Sequence, residues 1–171
     1  VLVTQEERVW RDPAKVDLKD SSIGQPLTDE QKTALAIIEQ ALEGEGSRTV
    51  LLQGVTGSGK TRVYMEAISR VLEQGKTALV LVPEISLTAQ VIGLAADWFG
   101  QQVAVWHSAL STGERFDEWQ RVRSGEARVV IGARSAVLAP VRDLGLIVVD
   151  EEFENSYKQD SPPRYHAVEV A

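Results

Sequence analysis

Residues Gly54 to Thr61 read Gly-Val-Thr-Gly-Ser-Gly-Lys-Thr, a glycine followed by any four residues and then Gly-Lys-Thr. That spacing suits the phosphates of a nucleoside triphosphate. Glycines at 54, 57 and 59 allow a tight turn that aims consecutive backbone N–H groups at phosphate oxygens, with Val55, Thr56 and Ser58 supplying further donors in the same loop. Lys60 brings a point charge for the β- and γ-phosphates, and the Thr61 hydroxyl is placed to ligate Mg2+. A second feature lies far along the chain, where the apolar run Leu146 to Val149 ends in Asp150 and Glu151. A carboxylate at the end of a buried strand is costly without a partner, and a bound cation supplies one. Asp150 is positioned to hold Mg2+ through water, and Glu151 to polarise an attacking water as general base. Together the two features indicate phosphoryl transfer to water, with Lys60, Asp150 and Glu151 as catalytic candidates. They leave open what the reaction drives: DNA, a protein or a small molecule.

Gln31, three residues after Thr28, has two readings. Its amide can return to the Thr28 N–H as a capping box, or it can both donate to and accept from the edge of adenine.

Positioning these residues requires alternating elements. Thr28 can cap a helix that runs to about residue 43, with Ala34, Leu35, Ile38 and Leu42 on one face. The pattern then predicts strands over 48–53, 77–82, 102–106, 128–131 and 145–149, and helices over 59–74, 86–98 and 111–123. Such alternation is that of an α/β fold, a mostly parallel sheet with helices on both faces. The near-continuous apolar strands 78–82 and 146–149 are expected at central positions, buried on both sides. Ligands then belong in the loops at the carboxyl ends of the strands.

The chain has 171 residues, 43% of them hydrophobic, which is expected to form one domain over 27–171. Residues 1–26 are charged, lack a clear period and read as a linker or edge segment. The sequence holds no long apolar run and no secretion signal, so a cytoplasmic protein without a membrane partner is expected. It has no cysteine, which excludes disulfides and thiolate metal sites within this segment. A net charge of -7 argues against tight standalone binding to nucleic acid, although residues 101–135 carry five arginines against four acids. Trp10, Trp98, Trp106 and Trp119 are expected in the core or at its edge.

Several segments taken in order resemble the primosomal protein N-prime (PriA) family of replication-restart helicases, within helicase superfamily 2. They are Leu27 to Gln31, Leu52 to Thr61, Leu81 to Gln90, His107-Ser108 with Glu114-Arg115, Val130 to Ala136, Leu144 to Glu152, Ser156 to Gln159 and Arg164 to Ala167. The combination of Pro83 to Thr88, Gly132 to Ser135 and Ser156 to Gln159 is the most specific part. The resemblance implies a RecA-like P-loop NTPase lobe, the first of two motor lobes in an ATP-driven 3'-to-5' DNA helicase acting at stalled forks. It further implies ATP and Mg2+ as cofactors, single-stranded or forked DNA, single-stranded-DNA-binding protein and primosome loading proteins as partners, and a nucleoid-associated location. The family's zinc-binding cysteines, second lobe and N-terminal DNA-binding domains have no counterpart in this segment.

By resemblance Gln31 is the adenine-sensing glutamine. Ser86, Thr88, Arg134 and Ser135 lie in motifs that face the DNA backbone, and His107 could join them. The segment from Phe153 to Tyr165 resembles an aromatic loop that senses single-stranded DNA, with rings at Phe153, Tyr157 and Tyr165 and cations at Lys158 and Arg164. Two positions depart from the family pattern: Phe153 stands where a histidine is usual, and Ala133 where a threonine is usual. A phenyl ring cannot make the hydrogen bond by which that histidine links the two lobes. A fork-binding loader with little unwinding is the alternative that these two departures motivate.

Overall fold

The computed structural model describes residues 26–44, 46–55 and 57–171. Thr56, Trp10 and the expected edge segment, apart from Pro26, lie outside the described residues.

Helix α1 (Asp29–Glu43) begins at a capping box in which the Thr28 hydroxyl accepts from the Gln31 N–H and the Gln31 side chain accepts from the Thr28 N–H. Leu35 and Ile38, three apart on one face, are buried. Helix α2 (Lys60–Glu73) follows the glycine loop and buries Val63, Tyr64, Met65, Ala67, Ile68, Val71 and Leu72, a stripe wide enough to bridge α1 and the sheet. Then come strand β1 (Thr77–Leu81), helix α3 (Ala89–Phe99), strand β2 (Val103–Trp106), helix α4 (Thr112–Ser124), strand β3 (Val129–Gly132) and strand β4 (Leu144–Val149). A two-residue hairpin, β5 (Lys158–Gln159) with β6 (Tyr165–His166), precedes the short helix α5 (Ala167–Val170).

The four long strands form one parallel sheet in the order β2-β3-β1-β4, with Val80 opposite Ile131 on one side and Val148 on the other. Successive strand residues point to opposite faces, and both faces are covered. Ala78, Val80, Val82, Val105, Val129 and Ile131 pack with α2 and α3 through Met65, Ile68 and Phe99. Leu79, Leu81, Ala104 and Val130 pack on the other face with Val122, Ala136 and Tyr157. Ile68 and Met65, at most 1% exposed, contribute roughly 1.5–3 kcal/mol each by leaving water. Trp106 is buried, while Trp98 and Trp119 pack at the margins of these clusters, as expected of structural tryptophans. This is the α/β arrangement that the alternation predicts, a parallel sheet with helices on both faces. Among the described residues no helix is long and apolar enough to cross a membrane.

Gly132 shows how closely the strand ends meet. A Cβ there would lie 2.1 Å from the Trp106 carbonyl oxygen and 2.8 Å from Ala136 Cβ. Backbone cannot yield as a flexible side chain can, so Gly132→Ala should cost about 2 kcal/mol or more and lower Tm by roughly 4–8 °C. A calorimetric Tm unchanged by the substitution would contradict this packing.

Two expectations about the sheet are corrected. Residues 48–53 do not join it: Leu51 is 78% exposed, and no strand is assigned there. Apolar content makes a strand only when a ladder partner exists, and the described strands offer this segment none. β4 is likewise an edge strand paired with β1 alone, and its residues are half-buried, with Leu144 exposed, rather than buried on both sides.

Candidate functional site

In a parallel sheet all carboxyl ends share one edge, so the loops after β1, β2, β3 and β4 converge. The loop at Gly54 to Gly59 joins them through helix α2. Gly57 and Gly59 adopt φ of 79° and 81°, a left-handed conformation that glycine reaches without strain. Gly59 also touches Gln31, since a Cβ on it would lie 2.3 Å from Gln31 Nε2. Because Gly59 is the N-cap of α2 and provides no side-chain cap, the first N–H groups of that helix are left for an anion. Lys60 Nζ donates to the carbonyls of Gly54 (2.7 Å) and Val55 (3.1 Å), folding its charge over the loop.

Gln31 engages the loop and the cap together. Its Oε1 accepts from the Thr28 N–H at 3.0 Å, and its Nε2 donates to the Ser58 carbonyl at 3.3 Å. Both ends of the amide are therefore occupied by backbone. A base reading that amide must exchange with at least one of these bonds.

Asp150 and Glu151 stand at the end of β4. The Asp150 N–H donates to the Leu81 carbonyl at 2.9 Å, and Asp150 Oδ1 accepts from the Glu151 N–H at 3.0 Å. Glu151 itself has φ of 48°, unusual for a residue with a side chain and costing of order 1–3 kcal/mol. Its carboxylate accepts from the Ser86 hydroxyl at 3.3 Å. One DNA-motif candidate, Ser86, thus touches one nucleotide-site candidate, Glu151. A residue absent from the expected set, Tyr64, ties the helix that carries Thr61 to Asp150. Its hydroxyl donates to Asp150 Oδ2 at 3.4 Å, and it sits three residues after Thr61 on α2. Burial is the main cause that holds the Tyr64 hydroxyl well above the usual tyrosine range, so it stays protonated and able to donate. The signal was present in the spacing, because Tyr64 is three residues after Thr61 and shares its helix face.

The remaining candidates divide by what they touch. Thr88 caps α3, accepting from the Val91 N–H at 3.4 Å, and His107 Nδ1 accepts from the Ala109 N–H at 3.2 Å. Arg134 Nη1 donates to the carbonyls of Ser156 (3.3 Å) and Lys158 (2.5 Å), and Ser135 is half-buried. Phe153 is 76% exposed, its ring open to solvent. Tyr157 is a correction: it is fully buried in the core and presents no ring face to a base. Its hydroxyl reaches the Asp150 carbonyl at 2.6 Å and the Leu81 carbonyl at 3.0 Å. Burial was invisible in the sequence because aromatic residues in a polar segment read equally well as surface platforms. Lys158, Arg164 and Tyr165 do come together, lining an open pocket of about 570 Å³ with Asp160, His166 and Glu169. Lys158 pairs with Asp160 at 3.1 Å and Arg164 Nε donates to the Asp160 carbonyl at 3.0 Å, so the pocket is mixed in charge. It shares no residue with the phosphate loop.

Residues 28–167 match the DEAD/DEAH box helicase family. The chain is 52% identical over its full length to the replication restart protein PriA of Bacillus subtilis (strain 168), covering 21% of that protein. It is 48% identical over 145 residues to PriA of Treponema pallidum (strain Nichols), covering 85% of this chain and 22% of the relative. Identity to PriA of Chlamydia trachomatis is 42% over 94% of this chain and 22% of the relative. The chain therefore spans about a fifth of the length of these curated relatives. Among solved structures, RecG bound to a three-way DNA junction is similar with a TM-score of 0.65 and 31% identity, over 74% of this chain and 18% of that one. The match over residues 28–167, the parallel sheet and the loop before α2 agree: the chain belongs to the DEAD/DEAH box helicase family, and in sequence it is a helicase lobe of the PriA type.

Proposed function

We propose that this chain is the first RecA-like motor lobe, residues 27–171, of a DNA helicase that acts at stalled replication forks. It binds ATP with Mg2+, and hydrolysis drives 3'-to-5' translocation on DNA. The observation that carries this reading is the contact between Ser86 and Glu151 at 3.3 Å, which joins the loop proposed to face DNA to the proposed general base.

In this reading the loop amides at Gly54, Val55, Thr56, Gly57, Ser58 and Gly59 hold the triphosphate, and Lys60 leaves its loop carbonyls to meet the β- and γ-phosphates. Gln31 contacts adenine after giving up a bond to backbone. The donor set fits Mg2+, which takes few protein ligands, all oxygen, and keeps several waters. Thr61 and Asp150 offer a hydroxyl and a carboxylate, with Tyr64 of the same helix as Thr61 in contact with Asp150. Bound there, Mg2+ would neutralise charge on the phosphates. Glu151 takes a proton from the attacking water. Turnover by this lobe alone is slow, because a charge-stabilising arginine from a second lobe is worth roughly 1,000- to 100,000-fold.

On the DNA side Ser86, Thr88, His107, Arg134 and Ser135 lie at the common edge, where they contact phosphates without reading sequence. Phe153 offers a stacking face worth about 1–3 kcal/mol per base, and Lys158, Arg164 and Tyr165 line the pocket at the β5–β6 hairpin. Forked DNA, single-stranded-DNA-binding protein and primosome loading proteins are the proposed partners, in a cytoplasmic, nucleoid-associated setting. The exposed Phe153, in place of a histidine, favours a second reading in which the protein loads partners at forks and unwinds little. Photo-cross-linking of the full-length protein to forked DNA should mark residues 84–88, 134–135 and 153–165, and strand displacement should require a 3' single-stranded tail. Cross-links elsewhere only would remove the DNA-motor reading. Fork binding without displacement, restored by Phe153→His, would select the loader.

A further inference from the structure

Two tyrosines converge on Asp150 from opposite ends. Tyr64, on α2, is 6% exposed and its hydroxyl lies 3.4 Å from the Asp150 Oδ2 atom. Thr61 lies three residues before Tyr64 on the same side of α2. Tyr157, 0% exposed, directs its hydroxyl to the Asp150 carbonyl at 2.6 Å, close to the Leu81 carbonyl that accepts from the Asp150 N–H. A phenol has one proton to give. Tyr157 gives it to the nearer Asp150 carbonyl, and Tyr64 to the Asp150 carboxylate, which leaves the Tyr64 oxygen with lone pairs to accept from a neighbouring hydroxyl.

The order of donors matters for a metal site. A hydroxyl that coordinates a cation uses an oxygen lone pair and must place its proton elsewhere. Thr61 can place its proton on Tyr64, and Tyr64 passes the directional constraint to Asp150. Outer groups of this kind orient the ligands that touch the metal. Tyr157 acts on the main chain instead. Between Asp150 and Tyr157 the chain makes a short closed path: the Glu154 N–H donates to the Glu151 carbonyl at 2.9 Å, and the Tyr157 N–H to the Glu154 carbonyl at 3.3 Å. Arg134 clamps the carbonyls on either side of Tyr157, those of Ser156 and Lys158. Glu151, inside this path, holds a left-handed φ of 48°. A strained residue persists only where its surroundings over-determine it, and the buried Tyr157 ring with its hydroxyl bond closes that path.

We propose that Tyr64 and Tyr157 are positioning residues for the acidic pair, Tyr64 orienting the Asp150 carboxylate together with Thr61 toward Mg2+, and Tyr157 fixing the β4 end so that Glu151 meets the attacking water. The inference rests on the nucleotide-site reading above and extends it to two residues outside the phosphate loop and the acidic pair. It separates their roles: loss of the Tyr64 hydroxyl weakens the metal-dependent part of nucleotide binding, while loss of the Tyr157 hydroxyl slows chemistry at unchanged binding.

The test uses Tyr64→Phe and Tyr157→Phe in the full-length protein, which keep both rings and remove one oxygen each. Binding of a fluorescent ATP analogue is titrated in EDTA and then against Mg2+, and steady-state hydrolysis is measured beside it. Tyr64→Phe should leave metal-free binding unchanged and raise the Mg2+ concentration for half-maximal tightening by roughly 10-fold. Tyr157→Phe should leave both titrations unchanged and lower kcat by roughly 10-fold, with KM for ATP held within about twofold. If the wild type tightens with Mg2+ and both variants match it, the positioning roles are wrong while the nucleotide site stands. Loss of metal-free binding in Tyr64→Phe would also overturn the proposal, because it marks a general packing role. If the wild type and Lys60→Ala bind nucleotide equally, the nucleotide-site reading fails and carries this inference with it.

Discussion

Glu151→Gln should lower the rate of ATP hydrolysis by roughly 100- to 10,000-fold while ATP affinity stays within about twofold. The substitution preserves shape and replaces one carboxylate oxygen with an amide group. Gln can still accept from the Ser86 hydroxyl through Oε1, so the 3.3 Å link between the two loops survives. What it loses is the capacity to take a proton from water. Glu151 is exposed at the end of β4 and forms no part of the core, so stability should change little. Single-turnover hydrolysis with saturating ATP isolates the chemical step from product release. A rate within about threefold of wild type would assign the base elsewhere.

Lys60→Ala should weaken ATP binding by at least roughly 100-fold, about 2.8 kcal/mol. A hydrogen bond to a charged group contributes about 1.5–3 kcal/mol, and Lys60 is expected to reach two phosphates. The lysine also holds the loop through the carbonyls of Gly54 and Val55, at 2.7 and 3.1 Å. Its removal frees those carbonyls and costs order in the loop as well as charge. Lys60→Arg should recover little, because a planar guanidinium is not a compact ammonium. Calorimetric titration with ATP in the presence of Mg2+ reads both variants. Unchanged affinity in Lys60→Ala would show that the loop does not hold the triphosphate.

The elements most visible in the sequence were those governed by local rules. Thr28 and Gln31 are spaced as a capping box and form one, and the amphipathic helix expected over 59–74 forms α2. Strand order was not legible, since nothing local to residues 48–53 or to β4 reveals which edges find a partner. Hence an apolar run lies outside the sheet with Leu51 exposed, and a strand expected at the centre lies at its edge. The phosphate loop and acidic pair were legible because their chemistry dictates both residue type and spacing. The contacts of Tyr64 and Tyr157 with Asp150 are not legible in the sequence, because they join positions 86 and 7 residues apart and depend on how α2 and the 155–157 turn pack against the strand ends. Tyr157 was the sharper lesson: an aromatic side chain beside charged ones reads as a surface platform, yet it fills the core beneath the acidic pair.

ATP handled at Gly54 to Thr61 is proposed to drive movement on DNA. The most direct measurement is ATP turnover by the full-length protein with and without forked DNA, beside Lys60→Ala under the same conditions. The expected result is low turnover alone, strong stimulation by forked DNA, and none of either in Lys60→Ala. Turnover indifferent to DNA, or equally high in Lys60→Ala, would contradict it.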